Sequence, residues 1–455
     1  MGILANGRLS SLVQASRWSS ARRFGNLLTQ CRMSKQVSAS WVQTIANTPF
    51  TSHLETTLES PADCVRLIVP NNTNAIPGVA AVASTGSAAG LDPASGTPAT
   101  ANPDGLTQNN SGVWSHFLWG GASTVSLAAG SSANEPAFTV SDWLQQNSQA
   151  RSDASTQSAL PVHYFRILLP SSATVYNVPQ LVFGSDLYLG SGTWANDVSS
   201  DAIYTTHRLF RNIYQNADGV TTPTNFTQNT LQCGIPMIIQ YGCRTRGMTV
   251  MVVGDSISEA SPTPATGFST ECWGWAARAC FAVSTQKFPV ELAQFGWGGQ
   301  TSAQYTQRFF DLMALTDSAG LPVFLPDVLI YSPFSPNDGS PTQALINTQA
   351  YQTARVLAIC QIKGILPIIW TALPNNAYTS AVDAFRQALN TQIRNMGLSS
   401  LYLALDFDSA VSTGGNPEQY KTGYSIADGE HPSDTGHQAI ANVLIPVLQA
   451  IVSSN

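Results

Sequence analysis

The sequence predicts an α/β fold in its second half and a β-rich fold in its first half. After residue 248, short apolar runs alternate with longer segments of helical period, as in a parallel sheet with right-handed crossovers. Five strands with intervening helices fit a flavodoxin-like, three-layer α/β/α sandwich. Strands are expected near 248–253, 289–295, 327–332, 366–372 and 401–406, and helices near 271–286, 302–316, 341–363, 379–396 and 433–452.

The stretch from 41 to 247 consists of short apolar runs divided by Gly, Pro, Asn and Ser, which predicts a jelly-roll-like β-sandwich. Between Gly78 and Gly112 nearly every residue is small or polar, so a long surface excursion is expected there. The candidate strands are Cys64–Val69, Val113–Trp119, Ala137–Val140, His163–Leu169, Gln180–Phe183, Ala202–Phe210 and Pro236–Tyr241.

Length and composition limit the classes of partner. A chain of 455 residues usually exceeds one core, so we divide it into a basic N-terminal arm (1–40), a β-sandwich domain (41–247) and an α/β domain (248–455). Only 11% of the residues are charged and the formal net charge is −6. Without a basic stripe the surface suits glycans better than nucleic acid. The oligomeric state does not follow from the sequence.

The first 54 residues contain five Arg and one Lys but no acidic residue, and no apolar core of signal-peptide length follows them. We therefore predict neither a Sec signal nor a membrane span. An extracellular or virion-associated location is compatible with this composition. The seven cysteines lack the spacing of a disulfide scaffold or a zinc site, although Cys233 and Cys243 could face each other across a hairpin.

One apolar run, Met248–Val253, ends abruptly at Gly254, Asp255 and Ser256. This pattern predicts a buried strand that ends in an exposed hydroxyl, and open α/β sheets place their sites just beyond such strand ends. Ser256 therefore occupies the position of a nucleophile. The alternative is that Asp255 and Ser256 only cap the following helix.

Three further stretches lie near the ends of apolar runs: Gly296–Thr301 (GWGGQT), Ser335–Gly339 (SPNDG) and Asp428–Pro432 (DGEHP). Together with the Gly-Asp-Ser stretch, they stand in the order Ser, Gly, Asn, His. In this respect the sequence resembles the SGNH (GDSL) hydrolase family, over residues 248–455 only. The resemblance implies the same three-layer fold and ester hydrolysis. Pro336 departs from the family pattern, since many members have Gly there.

The resemblance implies a role for each block. Ser256 is expected to be the nucleophile, His431 its base and Asp428 the group that orients His431. The oxyanion donors are expected to be the N–H of Ser256, Gly299 and Asn337, with Gly298 as an alternative to Gly299.

The residues themselves support a serine mechanism, because a serine hydroxyl needs a neighbouring base. Among the six histidines, only His431 has Asp three residues before it and Pro directly after it, while His437 is expected at the surface or behind the site. No phosphate loop, dinucleotide fingerprint or metal-spaced set appears, so no cofactor is predicted.

The predicted function is therefore a serine ester hydrolase that removes acetyl or other short acyl groups from a carbohydrate, acting on an acylated glycan or a small ester. The alternatives are lipid or aryl-ester hydrolysis, and a glycan-binding virion or tail protein that carries an esterase domain. The small, polar segment Glu259–Gly267 favours short acyl groups, because a lipase is expected to carry an apolar lid there.

Two sets of aromatic residues leave alternatives open. Near the blocks, Trp273, Trp275, Trp297 and Phe334 could wall an acyl pocket or stack a sugar. In the β-rich half, Trp114, Trp119 and the tract 141–144 either form a sugar-stacking platform or belong to the core.

Overall fold

A computed structural model of the chain describes residues 27–32, 42–44, 49–71, 74–84, 114–131, 136–145, 162–170, 174–176, 178–179, 210–215, 217–221, 233–235, 237–259, 274–285, 287–340, 342–397 and 402–454. The strands are β1 (Leu27–Arg32), β2 (Val42–Thr44), β3 (Phe50–Thr57), β4 (Ala62–Asn71), β5 (Ile76–Ser84), β6 (Ser115–His116), β7 (Val125–Leu127), β8 (Ala137–Val140), β9 (Leu144–Gln145), β10 (Val162–Leu169), β11 (Thr174–Tyr176), β12 (Val178–Pro179), β13 (Phe210–Gln215), β14 (Cys233–Gly234), β15 (Ile238–Cys243), β16 (Met248–Gly254), β17 (Val290–Gly296), β18 (Val328–Tyr331), β19 (Leu366–Trp370) and β20 (Leu403–Leu405). The helices are α1 (Ser256–Glu259), α2 (Trp275–Val283), α3 (Ser302–Ala314), α4 (Gln343–Lys363), α5 (Ser380–Gly397), α6 (Phe407–Val411) and α7 (Asp434–Ser453), with a 3-10 turn at Pro336–Asp338.

The strands after residue 248 form a parallel ladder in the order β20-β19-β18-β16-β17. Counted along the chain, this order is 2-1-3-4-5, which is the flavodoxin-like arrangement. The strand positions predicted for this half agree with the structure to within two residues at each end. The α/β part of the predicted fold is therefore confirmed.

Alternate residues of these strands face opposite helical layers. In β16, Val250 and Val252 lie in the hydrophobic cluster that includes residues of α2, α6 and α7, whereas Met251 and Val253 lie in the cluster that includes residues of α3, α4 and α5. All seven residues of β16 are buried. A strand covered on both faces must be apolar on both, which explains the uninterrupted run in the sequence.

Two helices next to the predicted blocks have well-defined ends. Thr301 and Gln304 form a reciprocal capping box at the start of α3, directly after the glycine stretch. Gly364 ends α4 with φ +67°, a left-handed conformation that glycine adopts at no steric cost. Helix α2 is shorter than predicted, and the start of the predicted segment, 271–273, lies outside the described residues.

The strands before residue 248 do not form a separate sandwich in the part of the chain that the structure describes. β1 pairs in parallel with β17 and antiparallel with β15, which pairs with β4, and β4 pairs with β8 and β9. These strands extend the parallel sheet across the predicted boundary at residue 247. The others, in the order β13-β3-β10-β5-β6 with β7 beside β5, form a second antiparallel sheet. The predicted β-sandwich is therefore not confirmed, and the division into domains stays a prediction.

The predicted N-terminal arm also contributes to the main sheet. Within residues 1–40, the segment Leu27–Arg32 is β1, and its Leu28 and Cys31 are fully buried. One hydrophobic cluster joins Leu28 and Phe165 of the first half to Trp275 and Ile451 of the second. The two halves thus share a core, which local sequence patterns could not reveal.

Several other expectations from the sequence need correction. A surface excursion was expected from Gly78 onward, but residues 79–84 belong to strand β5, in which Val79, Val82 and Ala83 are buried. Residues 85–112 lie outside the described part. Cys243 carries a thiol that donates to the carbonyl of Thr245 at 2.9 Å, so a disulfide with Cys233 is not borne out. The candidate strand Gln180–Phe183 lies outside the described residues, as does Ala202–Phe210 except for Phe210.

Among the described helices, α7 is long and apolar enough by length and composition to cross a membrane. However, 56% of its apolar window is buried inside the fold, with Ile440, Leu444 and Leu448 in the core. Burial within the protein explains the apolar composition of α7 as well as a membrane span would.

Candidate active site

The four blocks meet at the carboxyl edge of the parallel sheet. Ser256 begins α1 directly after β16, and the glycine stretch follows β17. Asn337 lies in the 3-10 turn after β18, and His431 lies between β20 and α7. In an open α/β sheet this edge is where ligands bind, at the point where the strand order reverses.

Two glycines allow α1 to approach the strand ends. Gly254 and Gly296 are partners in the β16–β17 ladder. A Cβ on Gly296 would lie 2.5 Å from the backbone nitrogen of Glu259, and one on Gly254 would lie 2.0 Å from Ser258 Oγ. Only glycine fits at these positions, so the turn that carries Ser256 packs directly on the end of the sheet.

Ser256, His431 and Asp428 form a continuous hydrogen-bonded chain. Ser256 Oγ lies 2.7 Å from His431 Nε2, and His431 Nδ1 lies 2.7 Å from Asp428 Oδ2. Ser256 is nearly buried, whereas the side chains of His431 and Asp428 are 17% and 40% exposed. The serine hydroxyl therefore has a base within reach, on the solvent-facing side of the molecule.

Asp428 is held as an acceptor. Partial burial alone would raise its pKa, but the backbone N–H groups of His431 and Glu430, together with the imidazole, hold the pKa of Asp428 below its usual range. Its Oδ1 accepts those two N–H groups at 3.0 and 2.9 Å. An ionised carboxylate beside Nδ1 favours the tautomer in which Nε2 can accept a proton.

The segment from Tyr424 to Ser433 presents His431 on a short hairpin. The N–H of Ile426 donates to the His431 carbonyl at 3.0 Å, and that of Ser433 donates to the Tyr424 carbonyl at 2.9 Å. Gly429 lies at the tip with φ +70°, and a Cβ there would lie 2.7 Å from Asn376 Cβ. The hairpin is therefore pressed closely against the loop after β19.

Residues that the sequence did not single out hold the hairpin in place, two from that loop and one from the segment after α6. Asn375 Nδ2 donates to Glu430 Oε2 at 2.9 Å, and the N–H of Asn376 donates to the Gly429 carbonyl at 2.9 Å. Tyr420 donates through its hydroxyl to the Glu430 carbonyl at 2.9 Å. The sequence contained a feature that could have identified two of them, because Asn375 and Asn376 follow a buried strand at the same edge of the sheet.

Asn337 projects its carboxamide from an exposed position toward the glycine stretch. Its Nδ2 lies 3.1 Å from the Gln300 carbonyl oxygen and 3.1 Å from Ser335 Oγ. Because the carbonyl can only accept, the nitrogen of the amide and not its oxygen must face it. Gly299, next to Gln300, has φ +74°, and it is exposed whereas Gly298 is buried. The preference for Gly299 as an oxyanion donor stays a prediction.

Both acceptors of Asn337 Nδ2 lie on the same side of the amide. The Ser335 hydroxyl donates to the Gln300 carbonyl at 2.8 Å, so the three atoms form a nearly equilateral triangle. The acceptors then subtend roughly 55° at the nitrogen, whereas the two N–H bonds of a primary amide diverge by about 120°. One N–H directed between the two acceptors therefore reaches both, and such an arrangement leaves the second N–H available to another acceptor.

Asp338 fixes the same turn from the other side. Its Oδ1 accepts the N–H of Ser302 at 2.8 Å, and its Oδ2 accepts the N–H of Ser335 at 2.9 Å and Gln349 Nε2 at 3.0 Å. This carboxylate connects the first turn of α3, the turn after β18 and the middle of α4. The backbone around Asn337 is therefore anchored in three elements.

Asp255 is a buried carboxylate beside the serine. Burial raises its pKa to about 6, although the N–H groups of Ile257 and Ser258, the Ser335 hydroxyl and His431 all oppose the shift. Its Oδ1 accepts the N–H of Ile257 at 3.0 Å, so it holds the first turn of α1. The capping role considered from the sequence thus belongs to Asp255.

His437 is not at the surface. It lies in the first turns of α7, is fully buried and has a pKa lowered to about 3 by burial, by Arg278 and by His431. The sequence left this position open, because the apolar part of α7 begins only after it. With this pKa the imidazole is neutral near neutral pH, and it makes no side-chain hydrogen bond to a described residue.

The aromatic residues near the blocks belong mainly to the core. Trp275 donates through Nε1 to the Ile257 carbonyl at 3.1 Å and is buried, and so are Trp297 and Phe334. They support the site from below and do not wall an open groove. Trp273 and residues 260–267 lie outside the described part.

The aromatic residues of the first half differ in exposure. Trp119 is buried, and Trp114 packs against the guanidinium of Arg166 at 4.3 Å. Trp143 is 42% exposed and lies over Arg66 at 4.6 Å. Arg66 also binds Asp317 in the loop before β18, at the amino ends of the parallel strands, so Trp143 lies at the edge opposite Ser256.

Comparison with known proteins gave structural similarity alone. No protein-family model and no curated protein matches the chain. The chain resembles SGNH hydrolases of known structure. A member of the lipolytic protein G-D-S-L family from Veillonella parvula DSM 2008 is 15% identical, covering 43% of this chain and 94% of its own, with a TM-score of 0.33.

Two carbohydrate esterases are also similar. A family two carbohydrate esterase from Cellvibrio japonicus is 12% identical, with a TM-score of 0.34, and the match covers 94% of this chain and 96% of that one. A carbohydrate acetylesterase family member from Sinorhizobium meliloti is 15% identical, with a TM-score of 0.33, and covers 45% of this chain and 99% of its own. The interpretation of the site rests on its geometry.

Proposed function

We propose that the chain is a serine ester hydrolase that removes acetyl or other short acyl groups from a carbohydrate. The observation that carries this proposal is the pair of 2.7 Å hydrogen bonds that join Ser256 to His431 and His431 to Asp428. A hydroxyl with a base and an orienting carboxylate is the arrangement by which serine hydrolases of unrelated folds activate their nucleophile.

In the proposed reaction, Ser256 Oγ attacks the ester carbonyl carbon while His431 Nε2 takes the hydroxyl proton. The oxyanion accepts hydrogen bonds from the N–H groups of Ser256 and Gly299 and from Asn337 Nδ2. The tetrahedral intermediate then expels the sugar oxygen, which takes the proton from His431. Water attacks the acyl-enzyme by the same route, giving the carboxylic acid and free Ser256.

A polar, short-acyl substrate fits the surroundings of the serine. Asn337, Asn376 and Asp428 are exposed around the strand ends, whereas Trp275, Trp297 and Phe334 are buried. The described residues thus offer hydrogen-bonding groups to a sugar and little open apolar surface to an acyl chain. Each methylene buried in an acyl tunnel would contribute about 0.8 kcal/mol, and this gain requires an apolar wall.

Activity on p-nitrophenyl esters from C2 to C12 tests the reaction and the acyl preference together. We expect hydrolysis by the wild type, none by Ser256→Ala, and a kcat/KM that is highest for acetate or butyrate. A steady rise toward C8 or beyond would refute the short-acyl proposal and favour a lipid ester. Mass spectrometry of acyl groups released from a panel of acetylated polysaccharides then tests the carbohydrate.

A further inference from the structure

Hydrogen bonds set the orientation of the Asn337 side chain. The residue is exposed, so the positions of its two side-chain dihedral angles depend on hydrogen bonds. Among described residues, its Nδ2 contacts the Gln300 carbonyl and Ser335 Oγ, each at 3.1 Å. Removal of either acceptor would leave the carboxamide with one acceptor and a less defined orientation.

Ser335 is the rigid member of this arrangement. It is fully buried, and its N–H donates to Asp338, which is itself held by α3 and α4. The one proton of its hydroxyl has two acceptors, the Gln300 carbonyl at 2.8 Å and the Asp255 carboxylate, and the hydroxyl accepts the N–H of Asn337 at 3.2 Å as well as Nδ2. One hydroxyl therefore connects the turn that carries Asn337 to the Gln300–Thr301 peptide.

We propose that Ser335 is a positioning residue of the oxyanion site, whose hydroxyl holds one N–H of Asn337 so that the other faces the reacting carbonyl. This inference rests on the proposed ester hydrolysis and deepens it. The acceptor triangle supports it, because both acceptors lie within roughly 55° at Nδ2, so one N–H directed between them can serve both and leave the other available. The same hydroxyl hydrogen-bonds the carbonyl of Gln300, the residue that follows Gly299.

The inference predicts a loss in kcat and not in KM. An oxyanion donor acts on charge that develops in the transition state, so its displacement leaves ground-state binding unchanged. Misplacement of a reacting group by an ångström can lower the rate by about 10²-fold, so we expect kcat of Ser335→Ala to fall by about 10- to 100-fold. KM for p-nitrophenyl acetate should stay within about twofold of the wild-type value.

Ser332→Ala is the matched control. Ser332 is buried in the same loop, and its hydroxyl donates to the Phe334 carbonyl at 2.9 Å without contacting Asn337. It therefore removes a buried hydroxyl while leaving the carboxamide held. Its kcat should remain close to that of the wild type.

A double-mutant cycle with Asn337→Ala distinguishes positioning from a general structural effect. If Ser335 acts mainly through Asn337, the loss caused by Ser335→Ala should shrink to within about threefold in the Asn337→Ala background. An equal loss in both backgrounds, or a kcat of Ser335→Ala no lower than that of Ser332→Ala, would overturn the proposal. If Ser335→Ala does not fold, Ser335→Cys takes its place in the same kcat comparisons.

A failure of the proposed ester hydrolysis would be seen in the wild type itself. If the wild-type chain neither hydrolyses p-nitrophenyl acetate nor reacts with a fluorophosphonate, the ester-hydrolase proposal itself is refuted. An active wild type with an indifferent Ser335 refutes only the positioning role.

Discussion

Asp255, the residue before the proposed nucleophile, shows how a buried charge can be tolerated at an active site. Its carboxylate accepts N–H groups of the first turn of α1, yet burial raises its pKa to about 6. Because the folded-state pKa is raised, the stability that this group contributes is fully present below its unfolded value of 3.8 and is lost as the pH rises through 6.

Replacement of Asp255 should change the pH dependence of stability in a defined direction. As the pH falls from 8 to 5, the wild type should gain about 1 kcal/mol relative to Asp255→Asn, since the folded carboxyl takes up a proton before the unfolded one does. Urea unfolding at pH 8, 6.5 and 5 measures this difference. A difference that is independent of pH, or that changes in favour of Asp255→Asn, would show that the group is ionised throughout.

The sequence identified the candidate catalytic residues better than it identified the residues that hold them in position. Ser256 and His431 stand out because each lies in a short polar block after an apolar run, and the structure brings their side chains within 2.7 Å. Ser335 and Asn375 also follow apolar runs, but their roles depend on contacts between loops that are distant in the sequence, which no local pattern shows. Of the two positions expected for His437, at the surface or behind the site, burial excludes the first.

At the scale of elements, the site depends on how closely α1 approaches the ends of β16 and β17. Gly296 permits this approach, since a Cβ would lie 2.5 Å from the nitrogen of Glu259 and 2.7 Å from the carbonyl carbon of Ser258. Both atoms belong to the backbone of the helix that begins with Ser256. Any added side chain must therefore displace the nucleophile along with the helix.

Gly296→Ala should accordingly impair activity and stability together. We expect kcat to fall by about tenfold or more and the free energy of unfolding to fall by about 1–3 kcal/mol, the usual cost of overpacking. Gly320→Ala is the control, because that glycine has φ +75° but open space around it. It should lose stability without losing kcat. Wild-type kcat in Gly296→Ala would show that α1 can move without harm to the site.

Parallel strands and their helices were predictable because burial on both faces gives continuous apolar runs with helical segments between them. The pairing of distant strands was not. β1 lies between β17 and β15, and nothing in the local pattern of Leu27–Arg32 identifies its neighbours. The sequence therefore did not show that β1, β15 and β4 continue the parallel sheet.

At the scale of the whole molecule, the first half supplies contacts that the second half needs. Glu291 in β17 is fully buried, and its carboxylate accepts Gln30 Nε2 at 3.2 Å, the Tyr241 hydroxyl at 2.6 Å and the N–H of Glu59 at 3.2 Å. All three donors precede residue 248. A buried carboxylate deprived of its donors is strongly destabilising.

The fragment 248–455 should therefore not fold as the full chain does. Loss of β1 exposes the edge of β17, and loss of the shared core exposes apolar residues of both halves. We expect the isolated fragment to aggregate or to unfold without a cooperative transition, whereas the full chain unfolds cooperatively. A soluble fragment with the melting temperature and kcat of the full chain would instead support two independent domains.

The central claim is that Ser256 is a nucleophile activated by His431, and covalent labelling tests it most directly. The full chain should react with a fluorophosphonate, and tandem mass spectrometry should place the adduct on Ser256. Ser256→Ala should abolish both labelling and p-nitrophenyl acetate hydrolysis. Ser258→Ala, which alters a buried hydroxyl two residues along the same helix, should retain both. An adduct on another residue, or wild-type turnover by Ser256→Ala, would contradict the account.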